Sequence, residues 1–336
     1  MIRVLICLGI AFAFLTCIVE SVRAEEFFLY QYGGSVYAAV LQEGKVQNVP
    51  VSKSEESVLT FEVYESSCLL VVNTPDSNSA RKVIQKDRRG ELNVMIVNAF
   101  SLPHFDSKSP IAFNGKAVAY VEVDGKTSSL AVLDLETEKT QTLLTQVDKP
   151  LCSPKWSPDG KSVAYYSASK GSGFMLESIN VANGTRTVLS SASKPTGFGS
   201  VTPRPPFWSG DGKKLYFEAA YGDKIGPNLY EVSADGSGSA RHICAGLLTA
   251  FDGASGTAFV VTKLNVYSVL VTKPASEPKL VVEQAWWARV SPSGKYLGYY
   301  WSDALYIRNL GDGSSIKAVP DYRGDGPQTA WIGSDR

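Results

Sequence analysis

A short turn built around glycine recurs along this chain, and each copy is followed by a strand-like run of Val, Tyr, Phe and Leu. PKWSPDGK (154–161) precedes VAYYS, FWSGDGKK (207–214) precedes LYFEA, and ARVSPSGK (288–295) precedes YLGYY. Looser copies are PIAFNGKA (110–117) before VAYVE and AFDGASGT (250–257) before AFVVT. The turn glycines Gly115, Gly160, Gly212, Gly256 and Gly294 are spaced by 45, 52, 44 and 38 residues. Each unit continues into a further strand, a polar turn and a last strand, clearest in LAVLDLETEKTQTLL (130–144), FMLESINVANGTRTVL (174–189), LYEVSADGSGSARHI (229–243) and LYIRNLGDGSSIKAV (305–319). Period-two runs broken by Gly, Asp, Asn, Ser and Pro indicate antiparallel strands, and no segment after residue 24 carries a capped helical stripe.

Four strands every 40 to 50 residues, roughly, is the period of a propeller blade. A small twisted sheet with two apolar faces cannot hide both alone, whereas stacking around a ring buries each against a neighbour. The expected fold is therefore all-β, a seven-bladed β-propeller, with six blades as the alternative count. The 312 residues from 25 onward divide into about seven units of this period. Blades are placed at 58–100, 101–146, 147–192, 193–245, 246–284 and 285–322. Residues 27–53 supply only three strands, FFLYQY, SVYAAVL and KVQNVPV, so the missing inner strand is assigned to the C-terminal QTAWIG (328–333). Pairing the two ends would close the ring and remove open edges. The 58–100 unit has the weakest pattern, lacking the glycine turn and carrying the charged run KDRRGE.

Residues 1–24 read as a secretion signal peptide: Arg3, then an apolar stretch from Val4 to Val19 interrupted by Thr16, then Val22-Arg23-Ala24. The stretch is short for a membrane span, and an uncleaved anchor is the alternative. The domain organisation is thus a leader at 1–24 and one propeller at 25–336, with a periplasmic or secreted location. Removing Arg3, Arg23 and Glu20 from 33 basic and 33 acidic residues leaves 31 and 32. That balance argues against a nucleic-acid partner. Cys68, Cys152 and Cys244 do not make a disulfide framework and read as small buried residues.

The chemistry-bearing motifs are sparse. His104 and His242 are the only histidines, GxSxG and HExxH are absent, and neither GxxxxGK[ST] nor GxGxxG occurs. No catalytic residue, metal site or cofactor is assigned. Asp-Gly pairs at Asp124, Asp159, Asp211, Asp235, Asp252, Asp312 and Asp325 read as turn caps rather than calcium ligands. Arg323-Gly324-Asp325 reads as a chance match in a glycine-rich closing loop, and the sequon Asn183-Gly184-Thr185 is explained by hairpin turn chemistry. In this architecture the connections between blades and between second and third strands gather at one end, which makes that end the default binding face. The candidate binding residues there are Arg204, Tyr221, Asp223, Lys224, Trp286, Trp287, Arg289, Trp301 and Asp303. Trp, Tyr and Arg often dominate interface energy. For Trp286, Trp287 and Trp301, core packing is the competing role, while Trp156, Trp208 and Trp331 share one repeat position and are expected to pack between blades.

At PKWSPDGK, FWSGDGKK and ARVSPSGK the sequence resembles the TolB-type family of β-propeller repeats, and looser copies extend the resemblance over nearly all of 25–336. The resemblance implies a periplasmic or secreted binding scaffold. Similar repeats gate prolyl-oligopeptidase-like hydrolases. The resemblance is to propeller repeats alone, since neither the α/β domain that precedes the propeller in TolB proteins nor a hydrolase domain has sequence here to match. The expected function is an exported, non-enzymatic propeller that binds a protein or cell-envelope ligand through its loop face. The alternative is an extracellular carbohydrate- or ester-acting enzyme with carboxylates and tyrosines in the channel. The ligand, the host and the oligomeric state are left open by the sequence.

Overall fold

A computed structural model describes residues 26–42, 45–52, 57–64, 67–73, 81–87, 95–97, 111–169, 173–190, 203–219, 227–273, 276–285, 287–322 and 329–332. The leader, His104, the Arg323-Gly324-Asp325 motif and the 88–91 part of the charged run lie outside them. The described residues form seven antiparallel four-stranded sheets, none closed on itself, and no helix. Sheets II to VII span 57–97, 112–147, 151–188, 207–245, 247–282 and 287–319, each with its strands in chain order. Sheet I joins the two ends of the chain: Thr329–Ile332 lies beside Phe27–Tyr32, with Phe28 opposite Trp331 and Tyr30 opposite Thr329.

Local chemistry explains the strands and their turns. The five aligned glycines, Gly115, Gly160, Gly212, Gly256 and Gly294, all have φ between 67° and 84°, a region L-residues enter at a cost. In three copies the same short bond closes the turn: Gly160, Gly212 and Gly294 each donate N–H to Ser157, Ser209 and Ser291 at 2.9 Å. Burial falls from the middle of a sheet toward its last strand. Leu215–Ala219 is buried throughout, whereas Thr140–Val147 is largely exposed. A polar last strand discourages edge-to-edge pairing. Irregular register recurs between third and fourth strands at Leu130/Ala131, Leu229/Tyr230, Val266/Tyr267 and Leu305/Tyr306, a repeated bulge that adds twist.

Seven hydrophobic clusters lie between sheets, and each draws on two sheets. Leu70 of sheet II meets Leu29 of sheet I, and Leu69 meets Tyr120 of sheet III. Leu130 meets Tyr165, Leu176 meets Phe217, Leu229 meets Val260, and Val266 meets Leu297. The seventh joins sheet VII to sheet I through Trp287, Leu305, Phe28 and Trp331. Three tryptophans at the shared repeat position carry the same contact. The indole N–H groups of Trp156, Trp208 and Trp331 donate to the first strand of the preceding sheet, at Ala112 O (3.1 Å), Lys155 O (3.3 Å) and Arg289 O (2.9 Å). Gly298 leaves room for Phe28: a Cβ there would sit 2.6 Å from the ring. Cys68, Cys152 and Cys244 form no disulfide among the described residues and are buried in these clusters.

Candidate functional site

The two ends of the sheets differ. At the end carrying the glycine turns, Asp159, Asp211, Asp235 and Asp312 accept neighbouring serine hydroxyls and backbone N–H groups at 2.6–3.1 Å. These bonds hold their carboxyls below the usual range, the serine hydroxyls contributing most. Asp252 caps its own turn through Ala254 N and Ser255. An open groove of about 640 Å³ between sheets IV and V is lined by these turns, including Asp159, Asp211 and Trp208. Its aspartates are already engaged in their own loops. Among the described residues no group of three His, Cys, Asp or Glu is placed to hold a metal ion.

The opposite end presents apolar side chains on three successive sheets. Leu264 (63% exposed) occupies the hairpin between the second and third strands of sheet VI, Trp301 (37%) begins the corresponding hairpin of sheet VII, and Tyr32 (46%) that of sheet I. They are physically joined. Trp301 Nε1 donates to Gln284 Oε1 at 3.1 Å, and Gln284 N donates to Asn265 Oδ1, beside Leu264, at 2.9 Å. On the other side, Tyr300 donates its hydroxyl to Asp303 at 2.8 Å, and Tyr322 bridges the rings of Tyr300 (6.0 Å) and Tyr32 (5.9 Å). Lys263 and Leu264 have φ of 48° and 61°, and Ser302 and Asp303 have 48° and 57°. A two-residue turn with both φ positive normally uses Asn-Gly. An exposed leucine in that conformation costs about 1–2 kcal/mol and recovers little by burial.

Charged side chains on four of the sheets are buried or half-buried. Lys155 Nζ on the first strand of sheet IV pairs with Glu62 Oε1 on the first strand of sheet II at 2.8 Å. Arg289, on the first strand of sheet VII, donates to Thr249 O of sheet VI and lies 4.9 Å from the ring centre of Trp287. Burial, then the charge of Arg204, lowers the Arg289 guanidinium to about 10, and Glu62 and Glu218 oppose that shift. Glu218, on the second strand of sheet V, is 5% exposed. Burial pushes its carboxyl up to about 7 against the opposing pull of Arg204, the Leu248 amide and Arg289. Glu218 Oε1 is buried without a hydrogen-bond partner.

Of the residues singled out from sequence, Trp301 and Asp303 stand on the exposed arc and Arg204 and Arg289 among these charged groups. Trp287 is 5% exposed, packed against Phe28 and beneath Arg289. Tyr221, Asp223, Lys224 and Trp286 lie outside the described residues. Sequence reasoning passed over Glu62, Lys155 and Glu218. Their signal was a charge inside an otherwise apolar strand such as LYFEA, where burial is costly without compensation.

No family model matches the chain. A Tol-Pal system protein TolB from Methylobacillus flagellatus is 27% identical over 168 residues, 48% of this chain and 34% of that protein. TolB from Francisella tularensis subsp. mediasiatica is 29% identical over 119 residues, 34% of this chain and 26% of that protein. The chain thus matches about a third or less of these relatives' length, and it carries TolB-like propeller repeats. Among solved structures, a putative 6-phosphogluconolactonase from Bacteroides fragilis superposes with a TM-score of 0.58 at 17% identity, covering 93% of this chain and 99% of that one. The β-propeller domain of the Trilobed protease from Pyrococcus furiosus gives 0.54 at 13% identity, covering 82% and 85%. At such identities the likeness concerns the fold.

Proposed function

We propose that the seven sheets are the blades of one closed propeller, and that the protein is exported and binds a protein or cell-envelope partner without catalysing a reaction. The contact face is the end bearing Tyr32, Leu264, Trp301 and Asp303, extended by the connections that hold Tyr221, Asp223, Lys224 and Trp286. The observation that carries this reading is the joined apolar arc, whose non-glycine turns adopt left-handed backbone without a packing return. Backbone strain of this kind clusters at functional positions, and aromatic anchors on a fixed scaffold suit recognition. The TolB-like repeats support a binding scaffold, and the basic start followed by the apolar stretch Val4 to Val19 supports export.

The test is capture of partners from a cell-envelope extract by the wild type and by a Leu264→Ser/Trp301→Ser double variant. Capture of a specific partner that falls at least tenfold in the variant, with unchanged thermal unfolding, is expected. Equal capture by both, or no specific partner for either, would overturn the proposal. The enzymatic alternative has one observation in its favour, the Glu218 carboxyl near neutrality, a range suited to general acid–base work. Turnover of a sugar or ester substrate that disappears in Glu218→Gln would favour that reading.

A further inference from the structure

Trp156, Trp208 and Trp331 each reach onto the preceding sheet, so the residues they face there compare one for one. Two places after the turn glycine stand Ala117 in sheet III, Ser162 in sheet IV and Tyr296 in sheet VII. On the same faces, one pair further along, the third strands present Val132, Ser178 and Ile307, opposite Ala119, Ala164 and Gly298. Trp156 shares a core cluster with Ala117 and Val132. Trp331 stacks on Tyr296 at 6.1 Å and shares a cluster with Ile307. Both indoles are buried, whereas Trp208 is half-buried. Facing it are the hydroxyls of Ser162 and Ser178, and between them runs the open groove of about 640 Å³.

Serine in place of valine, isoleucine or tyrosine leaves the tryptophan ring without packing partners on that side. The change is not confined to two residues. Asn180 pairs with Ser162 and Thr187 with Ser178, and paired residues share a face of the sheet. Both line the same wall of the groove. The turns that frame it, at 157–161, 181–185, 209–213 and 234–240, all lie within the described residues. Those turns satisfy their own backbone, so the strand faces between them are what is offered to a ligand.

The lining selects the chemistry. Hydroxyls both donate and accept hydrogen bonds, and a carboxamide offers both from one end. An apolar ligand would strand these groups. Among the described lining residues none is basic, and the charged ones are Asp159 and Asp211, so an anion would meet like charge. The Trp208 indole N–H is already given to Lys155 O, which leaves the ring to contribute apolar area. A neutral ligand with a ring of hydroxyls and one flat C–H face meets every one of these conditions. The volume falls within the about 300–1,000 Å³ usual for small-ligand sites. We infer that the groove between sheets IV and V binds a saccharide, with one pyranose face on Trp208 and the ring hydroxyls on Ser162, Ser178, Asn180 and Thr187. The site lies at the opposite end from the exposed arc and does not rest on a partner there.

Nuclear magnetic resonance of the six indole N–H groups tests this without needing the sugar's identity in advance. The probes are the methyl pyranosides of glucose, galactose, mannose and N-acetylglucosamine, and the Trp208 signal is assigned by its absence from Trp208→Phe. At least one glycoside should shift the Trp208 signal saturably, with a dissociation constant of about 1 mM, while the Trp156 and Trp331 signals stay in place. The β-1,4-linked disaccharide of that sugar then separates the sources: tighter binding points to a glycan chain, equal binding to a single sugar. A Ser162→Ala/Ser178→Val double variant gives sheet IV the residues of sheet III. It should unfold at the wild-type temperature or above and bind the same glycoside about tenfold more weakly or worse. No shift of the Trp208 signal with any of the four glycosides, or undiminished binding by the filled variant, would overturn the inference. The wild-type titration stands without the variant, so a folding defect there cannot rescue a negative result.

Discussion

The two ends of the stacked sheets solve the same problem, reversing a strand, in opposite ways. At the glycine-turn end the solution repeats: serine, aspartate and a left-handed glycine satisfy their own backbone, in the same geometry from Ser157 to Gly160 and from Ser209 to Gly212. At the other end the hairpins vary, from Gly33-Gly34 to Lys263-Leu264 and Ser302-Asp303, and two of them hold non-glycine residues with positive φ. The first end minimises local cost and is occupied with itself. The second accepts local cost and leaves apolar groups in water. A repeat protein keeps its economical turns where nothing else is required and departs from them where its surface has a task.

The largest expected effect of a single substitution lies within the economical end. A Cβ at Gly236 would lie 2.8 Å from both Val188 O and Thr187 Cγ2, with φ at 75°, whereas one at Gly212 (φ 69°) meets nothing closer than 3.8 Å. Gly236→Ala should cost about 3 kcal/mol and Gly212→Ala about 1 kcal/mol in denaturant unfolding. Equal losses would mean that these turns do not pack on the neighbouring sheet as described. A comparable effect separates the interior from both ends. Because the Glu218 carboxyl is raised in the fold to about 7 from 4.5, the native state binds the extra proton. Its contribution is complete below pH 4.5 and is lost as pH rises through 7. Relative to Glu218→Gln, the wild type should therefore lose up to about 3 kcal/mol between pH 4 and pH 8.5. A pH-independent difference between the two would contradict the burial of an uncompensated carboxyl.

The smallest effect sharpens the contrast most. Replacing Lys263-Leu264 by Asn-Gly gives the hairpin residues suited to its backbone and should stabilise the protein by about 1 kcal/mol. The same replacement should weaken partner capture, because it removes the exposed leucine. Lower stability in the double variant would show that the leucine is structural and that the two ends are alike.

The division between what the sequence conveyed and what it hid follows the same line. Repeated local chemistry was legible: five aligned glycines proved to be left-handed, the sheets fell close to the expected spans, and Trp156, Trp208 and Trp331 share one inter-sheet contact. Single departures were not. Lys263-Leu264 sits inside VVTKLNVY, where neither residue type marks a turn. Trp287 and Trp301 look equivalent as isolated tryptophans, and only strand pairing decides that one faces Phe28 while the other caps a hairpin. Glu62 and Lys155 lie 93 residues apart in the chain, so their ion pair is a tertiary fact.

The continuity of the arc from sheet VI to sheet I requires the C-terminal segment to serve as the first strand of the N-terminal sheet. A chain ending at Pro327 removes Thr329–Ile332 and with it Trp331, whose ring packs on Phe28 at 5.0 Å. Losing a buried Trp and Ile costs at least about 5 kcal/mol, much of the 5–15 kcal/mol that holds a typical domain together. Thermal unfolding of this truncated chain should show a large fall in midpoint or loss of the cooperative transition, reversed by adding the peptide Gln-Thr-Ala-Trp-Ile-Gly. An unchanged transition, with no effect of the peptide, would contradict the arrangement.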